Sequence, residues 1–229
     1  MNTLKFWTAF IAFFFAVCAA LFPTTASAII GDTSEWRFNV LLDGKPIGYH
    51  RYTLNVRGTE RELRSEARFK VSILFITAYR YSHTAEERWQ GECIVQLDAR
   101  TDDNGDKLRV TGTRNEAKFV VATDTVTADI APCVQTFAYW NPRMLSATQL
   151  LNPQTGEYVP VRISRIGFEN VQVRNRNVPA ERFRIVSEET ALVPLQIDLW
   201  YARDDQGEKQ WIALESLAKD GQRLRYQIQ

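Results

Sequence analysis

Alternation with a period of two constrains this chain more than any other feature. Leu63, Ala67, Phe69, Val71, Ile73 and Phe75 fall on one side of an extended segment, and Glu62, Arg64, Glu66, Arg68 and Lys70 fall on the other. An apolar row opposite a row of mostly alternating charges describes a strand with one face on a core and the other toward water or a charged neighbour. Trp36, Phe38, Val40 and Leu42 repeat the pattern upstream, followed by Asp43-Gly44-Lys45-Pro46 and then Gly48, His50, Tyr52, Leu54 and Val56 on a single side. Gly accepts positive φ and Pro presets the exit, so this stretch reads as a hairpin. Around Leu74 and Ile76 both sides turn apolar, which marks a bend or a covered outer face.

Tyr79, Tyr81 and His83 continue the odd-numbered row. Trp89, Cys93, Val95, Leu97 and Ala99 read as one further strand, closed by a hairpin turn at Asn104-Gly105. Leu108 and Val110, then Ala117, Phe119 and Val121, give two shorter ones. From Ala131 to Gly156 the alternation lapses. There Asn141 can cap, Pro142 suits the first helical position, and Met144, Ala147, Leu150 and Leu151 share a helical side, which predicts one short helix near 142–151. Strands return at 158–166, 171–173, 182–186, 196–202, 210–216 and 223–228. The expected fold is mainly β, an antiparallel strongly curved sheet or barrel, in a single β-rich domain over 29–229.

The first residues read as a secretory signal, with Lys5, an apolar run from Phe6 to Phe22, and Ala26 and Ala28 before a cleavage point after Ala28. Cleavage would leave no membrane span and remove Cys18. The chain carries 28 basic and 27 acidic residues, a balance that argues against nucleic acid or an anionic membrane face as main partner. Cys93 and Cys133 then remain, and two thiols in an oxidising compartment most often pair, for roughly 3–4 kcal/mol at this loop length. Neither lies in a Cys-x-x-Cys motif or beside a histidine, so no metal is expected, and no cofactor motif is present.

His50 and His83 both sit on inward rows. An inward imidazole can bind a ligand or move a proton, but it is more often a core histidine hydrogen-bonded to backbone. No Gly-x-Ser-x-Gly elbow is present. Glu86 and Glu87 point to opposite sides of a strand and read as solvated. Asp102, Asn104 and Asp106 resemble a calcium loop, but Gly105 is misplaced and Thr113 stands where the closing glutamate belongs. Phe137, Tyr139 and Trp140 form the most unusual segment, either a lid over an apolar cavity, tied down by a Cys93–Cys133 bridge, or a cap that packs as core.

Leu41-Leu42-Asp43-Gly44-Lys45-Pro46-Ile47-Gly48-Tyr49-His50, the stretch Cys133 to Pro142, the stretch Leu150 to Tyr158, and Ile197-Asp198-Leu199-Trp200-Tyr201 resemble an uncharacterised family of exported proteobacterial proteins, a domain of unknown function. The resemblance covers nearly all of the chain after the signal and implies a Gram-negative periplasm. It implies no activity. The two hairpins are also loosely similar to exported curved-sheet proteins of the lipoprotein-carrier type, which cup acyl chains.

The reading that follows is a periplasmic, non-enzymatic protein holding a lipid or other apolar or amphiphilic small molecule on its concave face, near His50, Tyr52, Tyr79, Tyr81, His83, Tyr139 and Trp140. The alternative is a cell-envelope interaction module with a solid core and a partner docked at Leu74 and Ile76. A hydrolase or isomerase using His50 or His83 ranks third and needs a carboxylate or second base within reach.

Overall fold

The computed structural model describes residues 32–73, 76–188, 194–217 and 221–229. The expected signal, Cys18, Leu74 and the side chain of Ile76 fall outside what is described, and with them the contact drawn at Leu74 and Ile76. Alternating residues become strands throughout: β1 (Asp32–Leu42), β2 (Lys45–Arg57), β3 (Glu60–Ile73), β4 (Ile76–Gln90), β5 (Cys93–Asp103), β6 (Asp106–Arg114), β7 (Phe119–Ala122), β8 (Thr127–Ile130), β9 (Gln149–Leu151), β10 (Tyr158–Val173), β11 (Arg176–Ser187), β12 (Gln196–Arg203), β13 (Lys209–Leu217) and β14 (Arg223–Ile228). Among the described residues these fourteen form one curved antiparallel sheet.

Their order is β8-β7-β6-β5-β4-β3-β2-β1-β14-β13-β12-β11-β10-β9. Each strand neighbours the next in sequence, and β1 pairs with β14 through Phe38–Ile228 and Val40–Tyr226. The meander would therefore be a complete ring, except that β8 and β9 do not pair. The chain between them fills that break. Ile94 of β5 donates its N–H to the Val134 carbonyl, Leu151 of β9 donates to Gln135, and Thr136 bridges Leu151 in parallel. The connector thus hydrogen-bonds the β9 edge on one side and the start of β5, three strands in from β8, on the other, and the backbone groups there find partners.

The inward rows make the core. Phe38, Val40, Ile94, Phe119, Val134, Met144, Leu150, Leu151, Ile185 and Leu199 are fully buried within it. A second, smaller cluster joins Val171, Ala180, Trp200, Ala202, Ile212 and Ala213, where β10 and β11 pack with β12 and β13. Register shifts at Val40/Leu41, Arg88/Trp89, Arg165/Gly167 and Trp200/Tyr201 bend the wall.

At the first of these, a Cβ on Gly48 would stand 1.9 Å from the Arg68 carbonyl oxygen of β3. Only glycine lets the two backbones approach so closely. Gly48→Ala should cost about 2 kcal/mol by forcing β2 and β3 apart. A urea midpoint indistinguishable from the parent would show that the approach does not require glycine.

Three local expectations change. The helix is a single 3-10 turn over Pro142–Ser146, capped by the Asn141 side chain as expected, and its second half is instead β9. Leu150 and Leu151 pair with Val159 and Tyr158, so sheet pairing overrides their helical spacing. The stretches 158–166 and 171–173 are one strand, β10, continuous through the bulge before Gly167. Trp89 belongs to the last residues of β4 rather than opening β5, because a turn at Gly91 separates it from Cys93.

Candidate functional site

The tertiary fold aligns inward residues of neighbouring strands in tiers. One tier runs Phe38, His50, Ala67, His83 and Thr101 across β1 to β5. Ala67 separates the two imidazoles and offers only a methyl group. The adjoining tier holds Trp36, Tyr52, Ser65, Ala85 and Ala99. Small side chains on this wall leave room for large ones from the other.

His50 is held by hydroxyls. Tyr52 and Tyr226 both approach its Nδ1 at 3.1 Å, and Ser65 Oγ lies 2.7 Å from its Nε2. Tyrosine and serine hydroxyls both donate and accept, so each ring nitrogen of His50 has a hydroxyl partner in either tautomer. The Tyr52 ring also stacks on the imidazole, with centroids 4.1 Å apart. His83 Nδ1 lies 3.0 Å from Thr101 Oγ1. Burial, and then the neighbouring His83, hold His50 well below the usual imidazole range. Burial lowers His83 to about 4. Both rings are neutral near neutral pH, and the partners that fix them are hydroxyls rather than carboxylates.

Around this hub lies an aromatic cluster. Phe38 and Tyr52 pack on Trp211, and Trp211 meets Tyr139 with centroids 5.2 Å apart. Phe69 stacks on Tyr81 at 5.1 Å and meets Tyr226 edge-on. The Tyr81 hydroxyl donates to Gln154 Oε1 at 2.7 Å. Phe69, Tyr79, Tyr81, Phe137 and Tyr139 are only half-buried. Burial, with neighbouring phenols among the lesser causes, raises Tyr52, Tyr81 and Tyr226 above the usual phenol range, and Tyr139 rises by burial alone. These hydroxyls stay protonated and can donate hydrogen bonds at any ordinary pH.

The connector between β8 and β9 supplies one side of this cluster. Val134, Thr136, Ala138 and Trp140 are buried, whereas Gln135, Phe137 and Tyr139 are half-buried. The segment alternates after all. Its anchor is the expected Cys93–Cys133 disulfide, with Cα atoms 4.8 Å apart. Tyr201 donates from its hydroxyl to the Tyr139 carbonyl at 2.8 Å.

Five of the seven expected residues thus line or border one interior, His50, Tyr52, Tyr81, His83 and Tyr139, whereas Tyr79 is half-buried with Asp103 as its hydrogen-bond partner. Trp140 is buried in the same core but apart from the His50 hub. It packs edge-on against Trp89, under the Arg61 guanidinium 5.5 Å from its ring.

Glu87 needs a correction. Expected to be solvated, it is 4% exposed on the inward row of β4. Trp89 Nε1 donates to it at 2.9 Å, and the Thr136 hydroxyl of the connector approaches it at 3.3 Å. Burial pushes its carboxyl up to about 7, and those two hydrogen bonds only partly offset this. The signal was present in the odd-numbered row Tyr79, Tyr81, His83, Ala85, Glu87 and Trp89. Ser65 and Tyr226 were likewise legible as inward positions, but nothing local ties them to His50.

Two depressions lie away from this cluster, on the outer face. The larger, about 530 Å³, includes Asn55, Glu62, Arg64, Glu86, Arg88 and Asp98 in its lining. Its charges already pair in part, as Arg88 with Glu62 at 3.4 Å and Arg109 with Asp98 at 2.8 Å, so the aromatic cluster carries the more specific chemistry. Among the described residues no group of three or more His, Cys, Asp or Glu is placed to hold a metal ion.

The family described as Domain of unknown function (DUF6134) matches residues 38–229. The chain belongs to that family. The expectation of an uncharacterised family holds, and the DUF6134 match takes in the whole sheet from Phe38 of β1 onward. In fold the DUF6134 chain is similar to the crystal structure of a beta-barrel-like protein of domain of unknown function DUF1849 from Brucella abortus. The TM-score is 0.60, with 10% identity over 85% of this chain and 95% of that one. At that identity the likeness concerns the fold alone. No curated protein matches the chain.

Proposed function

We propose that this DUF6134 chain is a periplasmic, non-enzymatic binding or carrier protein that takes an apolar or amphiphilic ligand at the half-buried aromatic mouth of its curved sheet. The observation that carries the reading is the set of half-buried rings Phe69, Tyr81 and Tyr139, partly open beside an otherwise buried interior. An acyl or aryl body would lie against the Phe69–Tyr81 stack, while protonated phenols and Gln154 meet a polar head. The Cys93–Cys133 bridge supports an oxidising compartment. Neutral imidazoles already committed to hydroxyls are poorly disposed to take a substrate proton, which favours binding over acid–base catalysis.

The test is to purify the oxidised protein from the periplasm, identify any lipid carried with it by native mass spectrometry, and titrate it with a fluorescent fatty acid. Saturable binding is expected, weakened roughly tenfold or more in Phe69→Ala/Tyr81→Ala, since each lost ring removes about 1 kcal/mol or more of contact. Absence of both a copurified lipid and saturable uptake would remove the proposal.

A further inference from the structure

A buried carboxyl group joins the sheet wall to the connector between β8 and β9, and the binding reading leaves it unused. Glu87 accepts from Trp89 Nε1 at 2.9 Å and from the Thr136 hydroxyl at 3.3 and 3.4 Å. Leu63 of β3 and Leu97 of β5 stand beside it in the ladder. Among the described residues no cation pairs with it. Arg61, on the same row of β3, is engaged with Glu92 at 3.1 Å and with the Gly91 carbonyl. Tyr52 of β2, whose phenol is raised in small part by Glu87, keeps its proton, and His83, further back on β4, is neutral above about 4.

A carboxylate ionised there without a partner is costly, and the fold relieves the cost by letting water in. The wall resists, because at Glu87 the strand β4 is paired to β3 on one side and β5 on the other. The connector is held less evenly. Its start is fixed by the Cys93–Cys133 bridge and by the Ile94 N–H on the Val134 carbonyl. Its far end is fixed by fully buried Met144 in the 3-10 turn. Between these anchors residues 136–141 form no strand. Their polar ties to the strands include the Phe137 N–H on the Leu151 carbonyl at 3.3 Å, the Tyr201 hydroxyl on the Tyr139 carbonyl, and the Thr136–Glu87 contact itself.

We infer that the Glu87–Thr136 contact latches the connector, and that loss of the Glu87 proton lets residues 136–141 swing away from β4 and admit water, with the disulfide as the fixed end. Tyr139 travels with this segment, so the motion opens the aromatic mouth. Burial raises the Glu87 carboxyl to about 7, which sets the latch near neutrality, where neither histidine changes charge. The motion does not depend on the mouth holding a ligand.

Amide hydrogen exchange of the intact, oxidised protein tests it, with peptides covering the connector compared with peptides from β12 and β13. After correction for the intrinsic pH dependence of exchange, the connector's opening constant should rise on the order of fiftyfold between pH 5 and pH 8, as a carboxyl shifted from 4.5 to about 7 requires. Dilute urea should leave that opening unchanged, because little surface is exposed, whereas β12 and β13 should exchange more slowly and open further with urea. In Glu87→Gln the rise with pH should vanish. Should that variant not fold, the pH and urea series on the parent decide by themselves. Connector protection independent of pH would overturn the inference. So would equal protection and equal urea dependence in the connector and in β12–β13, since the whole fold would then be opening rather than the latch.

Discussion

Replacing Cys93 and Cys133 together by serine should lower the unfolding free energy by roughly 3–4 kcal/mol. The bridge spans a sequence separation of 40, so its loss restores much freedom to the unfolded chain. The native state loses something as well. The disulfide fixes the start of the connector whose hydrogen bonds to Ile94 and Leu151 tie β5 to β9, and Tyr139 on that connector forms part of the aromatic mouth. Exposed Arg143 in the 3-10 turn should then become an early site of tryptic cleavage. Urea unfolding and timed digestion of both proteins check this. Coincident unfolding curves would mean that packing of Val134, Thr136 and Ala138 alone holds the connector.

Glu87→Gln should abolish a pH dependence worth about 3 kcal/mol between acid and neutral conditions. Burial raises this carboxyl from 4.5 to about 7 in the folded protein. Between those values the folded state holds a proton that the unfolded state has released. The contribution of the group is therefore fully present below 4.5 and lost as pH rises through about 7. The groups facing Glu87 are Leu63 on β3, Leu97 on β5, Trp89 on its own strand and Thr136 on the connector, and none of them is a cation.

Glutamine can accept from Trp89 Nε1 and donate to Thr136 without ever ionising. The variant should match the parent in acid and exceed it above neutrality. The histidines oppose this trend in the parent, since a depressed pKa loses stability as pH falls from 6.5 toward about 4 for His83. The informative quantity is thus the difference between variant and parent at each pH, taken from urea midpoints. A difference that stays constant with pH would show that Glu87 ionises as it does in water.

Inward and outward sides were readable because a strand turns successive side chains to opposite faces, which is a local property of the backbone. That one rule placed His50, Tyr52, Tyr81 and His83 inside, and it held equally for Glu87, where the ordinary preference of glutamate for water misled. It failed wherever register shifts. The bulge at Arg88/Trp89 and the turn at Gly91 separate Trp89 from the strand of Cys93, and the bulge before Gly167 leaves Ile166 exposed. Leu150 and Leu151 carried a helical spacing that pairing with β10 overrode.

By itself, the sequence determined the pleated wall, the pair of cysteines and which rings look inward, because each follows from residue type and a period of two. Tertiary structure alone decided that β1 meets β14, that the β8–β9 connector hydrogen-bonds β5 and β9, and that Ser65, Tyr226 and His50 share hydrogen bonds. Those outcomes depend on the summed twist of fourteen strands and on distant contacts such as that between His50 and Tyr226, 176 residues apart, which no local pattern encodes.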